Sequence, residues 1–198
     1  MTSGSLLPIV EVHIIDDDVV RAAQQGDREA FRALVIQYQS LVYGLVVRHV
    51  GDAALAEDLT QEIFLKAHRG LSSFRAESKF SSWLTALALN HLRNHFKSRS
   101  YQEHRSTTPV DALALEELDF GPEVDLLQPE ELRRLQRAIQ ALPATLREVL
   151  ILCGVEGRSY VEVSEVLGLP VGTVRSRLHA ARSELRSLIS LLFQGGCQ

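Results

Sequence analysis

Arg175, His179, Arg182 and Arg186 recur at spacings of four, three and four. On an α-helix that spacing gathers them into one stripe, opposite Val174, Leu178, Ala181, Leu185 and Leu188. Such a stripe can recognise a partner without making or breaking bonds. A guanidinium is a planar fork of donors that fits the two acceptors on a guanine edge, so Arg175 and Arg177 can each contact guanine bidentately. The hydroxyls of Thr173 and Ser176 can bond bases or phosphate. The plainer alternative is a solvated basic face on a helical hairpin. The neighbouring residues favour recognition, because Ser159 and Glu162 have the spacing of a capping box. The short helix they open, bearing Val163, Val166 and Leu167, stops at Gly168, and Pro170 starts the next. Two short helices and a tight turn form a helix-turn-helix, whose second helix lies in the major groove with its N-terminal side chains at base edges.

A second stripe comprises Asp58, Gln61 and Glu62, three and four apart and opposite Leu55, Leu59 and Ile63. Alone it reads as a solvated face. His91 and His95 are four apart, as zinc ligands can be, but no third ligand stands at a suitable spacing, and surface or DNA-facing histidines are the expected reading. Cys153 and Cys197 are too few for a metal motif. Cys153 is expected to be a core residue, and Cys197 receives no role. No metal or cofactor is assigned.

The elements that position these residues are helices. The chain has 198 residues and is 45% hydrophobic, with β-branched residues scattered through helical patterns and no credible strand pair. The expected class is therefore all-α, as two small helical domains joined by a flexible acidic linker. A tail over residues 1–15 precedes a domain over 16–100. Its second helix begins near Asp27 and carries Phe31, Leu34, Val35, Tyr38, Leu41, Val42 and Leu45. A third follows Gly51-Asp52 and stops at about Gly70, and a fourth opens near Ser81 and buries Trp83, Leu84, Leu87, Ala88 and Leu92. Periodicity fades over the linker, residues 101–128, between Ser106-Thr-Thr-Pro109 and Gly121-Pro122. The second domain spans 129–192 and a tail 193–198. It opens with Leu132, Leu135, Ile139 and Leu142, then Leu146, Val149, Leu150 and Cys153 after Pro143.

The formal net charge of -4 does not suit an autonomous DNA-binding protein. Its distribution is more informative. Acidic residues gather at Asp16 to Asp18 and through the linker, while basic residues gather from Lys66 to Arg105 and from Arg175 to Arg186. Apolar runs are interrupted well short of the roughly 20 residues of a membrane span, and the N-terminus lacks the basic start of a secretory signal. A cytoplasmic protein without membrane insertion is expected.

Several segments together resemble a known family. The run Asp58-Leu-Thr-Gln-Glu-Ile-Phe64, the segment Leu71-Ser-Ser-Phe-Arg75, Phe80-Ser-Ser-Trp-Leu84 with Asn90, and Pro170-Val-Gly-Thr-Val-Arg-Ser-Arg177 are similar in order and spacing to sigma-70 family factors of the extracytoplasmic-function (ECF) group. The resemblance runs from about Asp17 to Leu188. It implies an alternative sigma factor, not an enzyme, that binds core RNA polymerase and directs promoter recognition, DNA melting and initiation at a specific regulon. The first domain would be sigma region two and the second region four. By the same resemblance, Asp58, Gln61 and Glu62 would dock on the clamp helices of the largest polymerase subunit, and region four on the flap of the second-largest. The minus-ten element would meet Phe74, Arg75, Lys79, Asn90, Arg93, Asn94 and Lys97. The last four are spaced three, one and three apart, so one helix face can follow a separating strand. Asn90 with the loop from Arg75 to Lys79 would receive a flipped base; core packing is the alternative for Phe74, Phe80 and Trp83. The minus-35 element would be read by Thr173, Arg175, Ser176, Arg177, His179 and Arg182. Some relatives carry an aromatic residue and an arginine where this chain has His179 and Ala180, so their preferred sequence cannot be copied. The acidic linker would lie in the polymerase cleft, its charge imitating nucleic acid. An anti-sigma factor is the further partner implied.

Three other classes make different predictions. An autonomous helix-turn-helix regulator would bind duplex DNA unaided, whereas the sigma reading requires core polymerase. An enzyme would need a phosphate loop, a nucleophile motif or a ligand cluster, none of which is evident. A pure adaptor would tolerate alanine at Arg175 and Arg177.

Overall fold

The structure, a computed structural model, describes residues 16–102 and 129–194. The N-terminal tail, nearly all of the expected linker and Cys197 lie outside the described residues. Among the described residues all regular structure is helical: α1 (Asp16–Gln24), α2 (Arg28–Val50), α3 (Ala53–Gly70), α4 (Phe80–Gln102), α5 (Pro129–Ala141), α6 (Ala144–Leu150), α7 (Tyr160–Leu167) and α8 (Val171–Gln194).

Local chemistry fixes most of the boundaries. The Asp27 carboxylate accepts from the amides of Glu29 and Ala30, at 2.8 and 3.1 Å, and so caps orphan donors of α2. Gly51 ends α2 at φ 71°, in the left-handed region that a side chain disfavours, with its amide donating to the Val47 carbonyl. Asp52 then caps α3 through the Leu55 amide at 2.9 Å. Helix α3 stops at Gly70 as expected, but Gly70 does not form a left-handed cap. Its φ of -89° is right-handed, and the chain passes directly into a 3-10 turn, Leu71–Ser73.

Helices α1 to α4 form the first unit around Leu34, Leu45, Leu59, Ile63, Leu84, Leu89 and Leu92, all essentially inaccessible. Each such leucine contributes roughly 1.5 to 3 kcal/mol through burial. The central helix α2 has the length and hydropathy of a membrane span. Here it is a core helix, with Leu34, Tyr38, Val42 and Leu45 to Val47 buried against its neighbours. The second unit packs α5 to α8 around Leu142, Val149, Ile151, Leu152, Val163, Val174 and Leu178. Between α6 and α7 the helix widens into a π-turn, Ile151–Val155, closed by the Glu156 amide on the Ile151 carbonyl at 2.9 Å.

The two units do not hang apart on a tether. Helix α2 ends with carbonyls that no helical amide can reach. The second unit supplies donors for them: Gln136, 1% exposed, donates to the Arg48 carbonyl at 3.0 Å, and Arg147 donates to the His49 carbonyl at 3.3 Å. Gly51 is needed here for a second reason, because a Cβ on it would stand 1.8 Å from Gln140 Nε2. Further along the same seam Arg158 donates to Thr85 Oγ1 on α4 at 2.9 Å.

Candidate nucleic-acid interface

The cap and turn of the second unit stand where the spacing predicts, but the helix that follows them, α8, runs 24 residues and is not the short one expected. Ser159 caps α7 and Glu162 returns the bond to the Ser159 amide at 3.0 Å, completing the capping box. Gly168 then turns the chain at φ 64°, and the Pro170 carbonyl accepts from Thr173 and Val174 to start α8. Val174, Leu178 and Ala181 are buried, which leaves Arg175, Ser176, His179 and Arg182 exposed and Thr173 and Arg177 half-buried. The Arg175 guanidinium stands 5.6 Å above the Tyr160 ring. That cation–π contact restrains a flexible side chain at the tip of the stripe. The sequence reading did not single out Tyr160.

On the first unit, Asp58, Gln61 and Glu62 are exposed along α3, but they face different neighbours. Gln61 lines an open apolar groove of about 560 Å³ between α2 and α3, with Phe31, Val35, Phe64 and Leu65. Leu65 is 59% exposed, and Ile36 on α2 is 60% exposed. Glu62 turns toward α4, its Oε2 lying 2.9 Å from Nε2 of the buried His91. The other ring nitrogen of His91 lies 2.6 Å from Lys66 Nζ. Burial first, and then Lys66, lowers the His91 pKa, so His91 belongs to the packing between α3 and α4. Among the described residues no cluster of three or more ligating side chains could hold a metal ion.

The segment before α4 is anchored from a distance. Gln24 on α1 donates to the carbonyls of Leu71 and Phe74, at 3.0 and 2.7 Å. Phe74 is only 9% exposed and packs against Phe80 and Trp83, with ring centroids 5.7 and 5.4 Å away. In this arrangement its ring shapes the loop and offers no free stacking face. Arg75 and Lys79 are exposed, and between them Ala76 adopts a left-handed φ of 54°, which costs roughly 1 kcal/mol. Asn90 lines a recess of about 420 Å³ together with Lys66, Gly70, Ser73, Trp83 and Asn94. The loop from Arg75 to Lys79 is not among its walls. Asn94 and Lys97 are exposed farther along α4.

Arg93 is different. Its Nε and Nη2 donate to the two carboxylate oxygens of Glu148 at 2.6 and 2.7 Å, and its Nη1 donates to Asn90 Oδ1 at 2.9 Å. The Glu148 side chain is 5% exposed. A carboxylate so far removed from water requires a charged donor, and the two parallel bonds from Arg93 provide one. The same contact raises the Arg93 pKa.

Close by, buried His49 has a pKa lowered to about 4, first by burial and then by the Arg147, Arg48 and Arg93 charges, against a bond to the Leu45 carbonyl. Glu148 lines the same cavity. The unfolded chain therefore binds this proton more readily than the folded one. His49's contribution is fully present above about pH 6.5 and is lost as pH falls toward about 4; its full size is about 3 kcal/mol. Unfolding free energies measured across that window should show the loss in the parent chain and a flatter response in His49→Gln. Equal slopes would contradict the assignment. Cys153 is half-buried and free, and burial raises its thiol pKa, so it stays a protonated packing residue.

Fold and surfaces together define a two-unit helical protein that carries a helix-turn-helix in its second unit. The family model described as Sigma-70 region 2 matches residues 34–101, and that described as Sigma-70, region 4 matches residues 132–185. The RNA polymerase sigma-H factor of Pseudomonas aeruginosa is 39% identical over 185 residues, covering 90% of this chain and 96% of that protein. The ECF RNA polymerase sigma-E factor of Escherichia coli K12 is 36% identical over 190 residues, covering 91% and 97%. Among solved structures, the sigma factor RpoE of Bartonella quintana, in complex with the anti-sigma factor NepR, shares the fold. Its TM-score is 0.65 at 24% identity, covering 81% of this chain and 96% of that one. The chain belongs to the ECF group of the sigma-70 family and is an alternative sigma factor that directs transcription initiation.

Proposed function

We propose that this sigma factor docks on core RNA polymerase through α3 and the adjoining groove, opens the minus-ten region along α4, and reads the minus-35 element with α8. The observation that carries the proposal is the exposed stripe Arg175, Ser176, His179 and Arg182, held at the tip of a capped helix-turn-helix. It stands in one chain with a separate polar stripe on α3. Asp58 and Gln61 would meet the clamp helices of the largest subunit, with Leu65 and Ile36 as apolar ground beside them; an exposed apolar patch rimmed by polar groups is the composition of a protein interface. Region four would also contact the flap of the second-largest subunit.

Promoter opening needs no covalent step. Unstacking a base costs a few kcal/mol, which a fitted recess and phosphate contacts can offset. The recess beside Asn90 is the receiver, with Asn94 and Lys97 following the strand and Arg75 and Lys79 on its phosphates. Phe74 supports the loop from below. The acidic linker would enter the polymerase cleft, and an anti-sigma factor would cover the docking surfaces until a signal releases them. The site of action is the cytoplasm.

Multi-round transcription from a promoter library, by core polymerase with and without the protein, tests this reading. Transcripts sharing minus-ten and minus-35 motifs only when the protein is present would support it. Duplex binding by the free chain with no transcription would replace it with an autonomous regulator.

A further inference from the structure

We propose that His91 is a positioning residue for promoter opening, which holds the Lys66 ammonium at the wall of the recess beside Asn90, ready for a phosphate of the captured strand. This rests on the reading of that recess as the receiver of the opened strand. One ring bridges two side chains of the neighbouring helix. His91 comes from α4, and its side chain is 8% exposed. Its Nδ1 lies 2.6 Å from Lys66 Nζ, and its Nε2 lies 2.9 Å from Glu62 Oε2. Glu62 and Lys66 stand one turn apart on α3, so the helix presents an acid and an ammonium to the same ring.

The chemistry of the three groups sets the direction of each contact. An ammonium has donors and no lone pair, so Lys66 gives the hydrogen and Nδ1 accepts it. The imidazole proton then stands on Nε2, the nitrogen turned to the Glu62 carboxylate. A protonated ring cannot play this part, because both of its nitrogens are donors and Nδ1 would face Lys66 with like charge. Burial and then the Lys66 charge lower the His91 pKa, against Glu62, which raises it. The ring is thereby kept in the neutral form that the contact with Lys66 requires.

Lys66 remains exposed, and it lines the recess of about 420 Å³ together with Asn90 and Asn94. One of its three donors is spent on Nδ1, which leaves two for phosphate oxygens. A lysine on a flexible four-carbon stem otherwise has to be ordered when the strand arrives. His91 meets that cost within the folded protein, before any strand is bound. The ring acts only through Lys66 and touches no DNA itself.

The test uses holoenzyme assembled from core polymerase and the full-length protein, with a fluorescein-labelled forked promoter DNA taken from the transcription library. Lys66→Gln should weaken binding of the fork about tenfold and reduce the slope of log affinity against log salt by about 0.7, the share of one single-strand phosphate. His91→Leu removes no charge from the neutral ring and should weaken binding about fivefold, through the cost of ordering Lys66. The same change in a Lys66→Gln background should cost nothing further, because the two residues act as one unit. His91→Asn keeps an acceptor near the place of Nδ1 and should bind as the parent does. Should His91→Leu lose helical structure, His91→Ala, the better helix former, takes its place in the cycle. An equal loss from His91→Leu in both backgrounds would make His91 a packing residue and overturn the proposal, as would parent-like binding by His91→Leu or by Lys66→Gln. Parent-like binding by Asn90→Ala and by Lys97→Gln would instead overturn α4 and its recess as the strand-binding surface, the reading beneath the proposal.

Discussion

Replacing Arg175 and Arg177 together by alanine is expected to reduce transcription from selected promoters at least about thirty-fold, while leaving thermal stability nearly unchanged. A bidentate arginine–guanine pair discriminates by roughly 1 to 3 kcal/mol, so losing two such pairs is expected to remove about 2 kcal/mol or more. Arg175 is exposed and Arg177 half-buried, and neither contributes to the core formed by Val174, Leu178 and Ala181. The loss should fall on promoters whose upstream element matters. Templates with that element scrambled should lose little more, because there the parent has already forfeited the contact. Equal loss on both templates would mean that these arginines act on phosphate or on folding. Full retention on both would make α8 a protein-binding helix. Tyr160→Ala serves as a milder companion, since it frees the Arg175 guanidinium from the ring 5.6 Å away without removing the charge.

The second large effect is expected on polymerase. Asp58→Lys should weaken core binding at least about thirty-fold in competition against the labelled parent protein. A like-charge contact at a docking surface costs several kcal/mol, and a central anchor alone is worth about 2 kcal/mol. Asp58 projects from a helix whose opposite side holds Leu59 and Ile63 in the core, so the substitution leaves packing untouched. Glu62→Gln should do less, because that carboxylate already leans on His91 at 2.9 Å and presents only part of itself outward. The order of the two variants matters as much as their size. A stronger effect at Glu62 would shift the docking centre toward α4, and parent-like binding by Asp58→Lys would remove α3 from the interface.

Much of this geometry was legible in the residues themselves. Asp27, Gly51, Ser159, Glu162, Gly168 and Pro170 act within a turn of their own position, and their chemistry settles the backbone there whatever packs around it. Apolar spacing likewise placed the buried faces of α3, α4 and α8. The contacts that escaped are those between partners remote in sequence. Gln24 reaches 47 and 50 residues to the loop before α4, Gln136 reaches 88 residues to the end of α2, and Arg93 reaches 55 to Glu148. No periodicity marks such pairs, since a glutamine or glutamate on a helix reads as solvated until another element covers it. Glu148 is the clearest case. It occupies an interior position among Val149, Leu150 and Ile151, where its sequence neighbours hint at burial but nothing nearby names the cation that makes burial tolerable.

The depth at which Glu148 sits has a consequence for how the free protein responds to electrolyte. Salt weakens contacts with nucleic-acid phosphates steeply, because each such contact releases condensed counterions. It screens an ion pair in which one partner is withdrawn from solvent much less, and the Glu148 side chain is 5% exposed. The Arg93–Glu148 pair and a phosphate contact on the same helix would therefore have unequal sensitivity to ionic strength. As salt rises, a strand bound along α4 would lose its hold first, while the Arg93–Glu148 pair between the two units would keep its own.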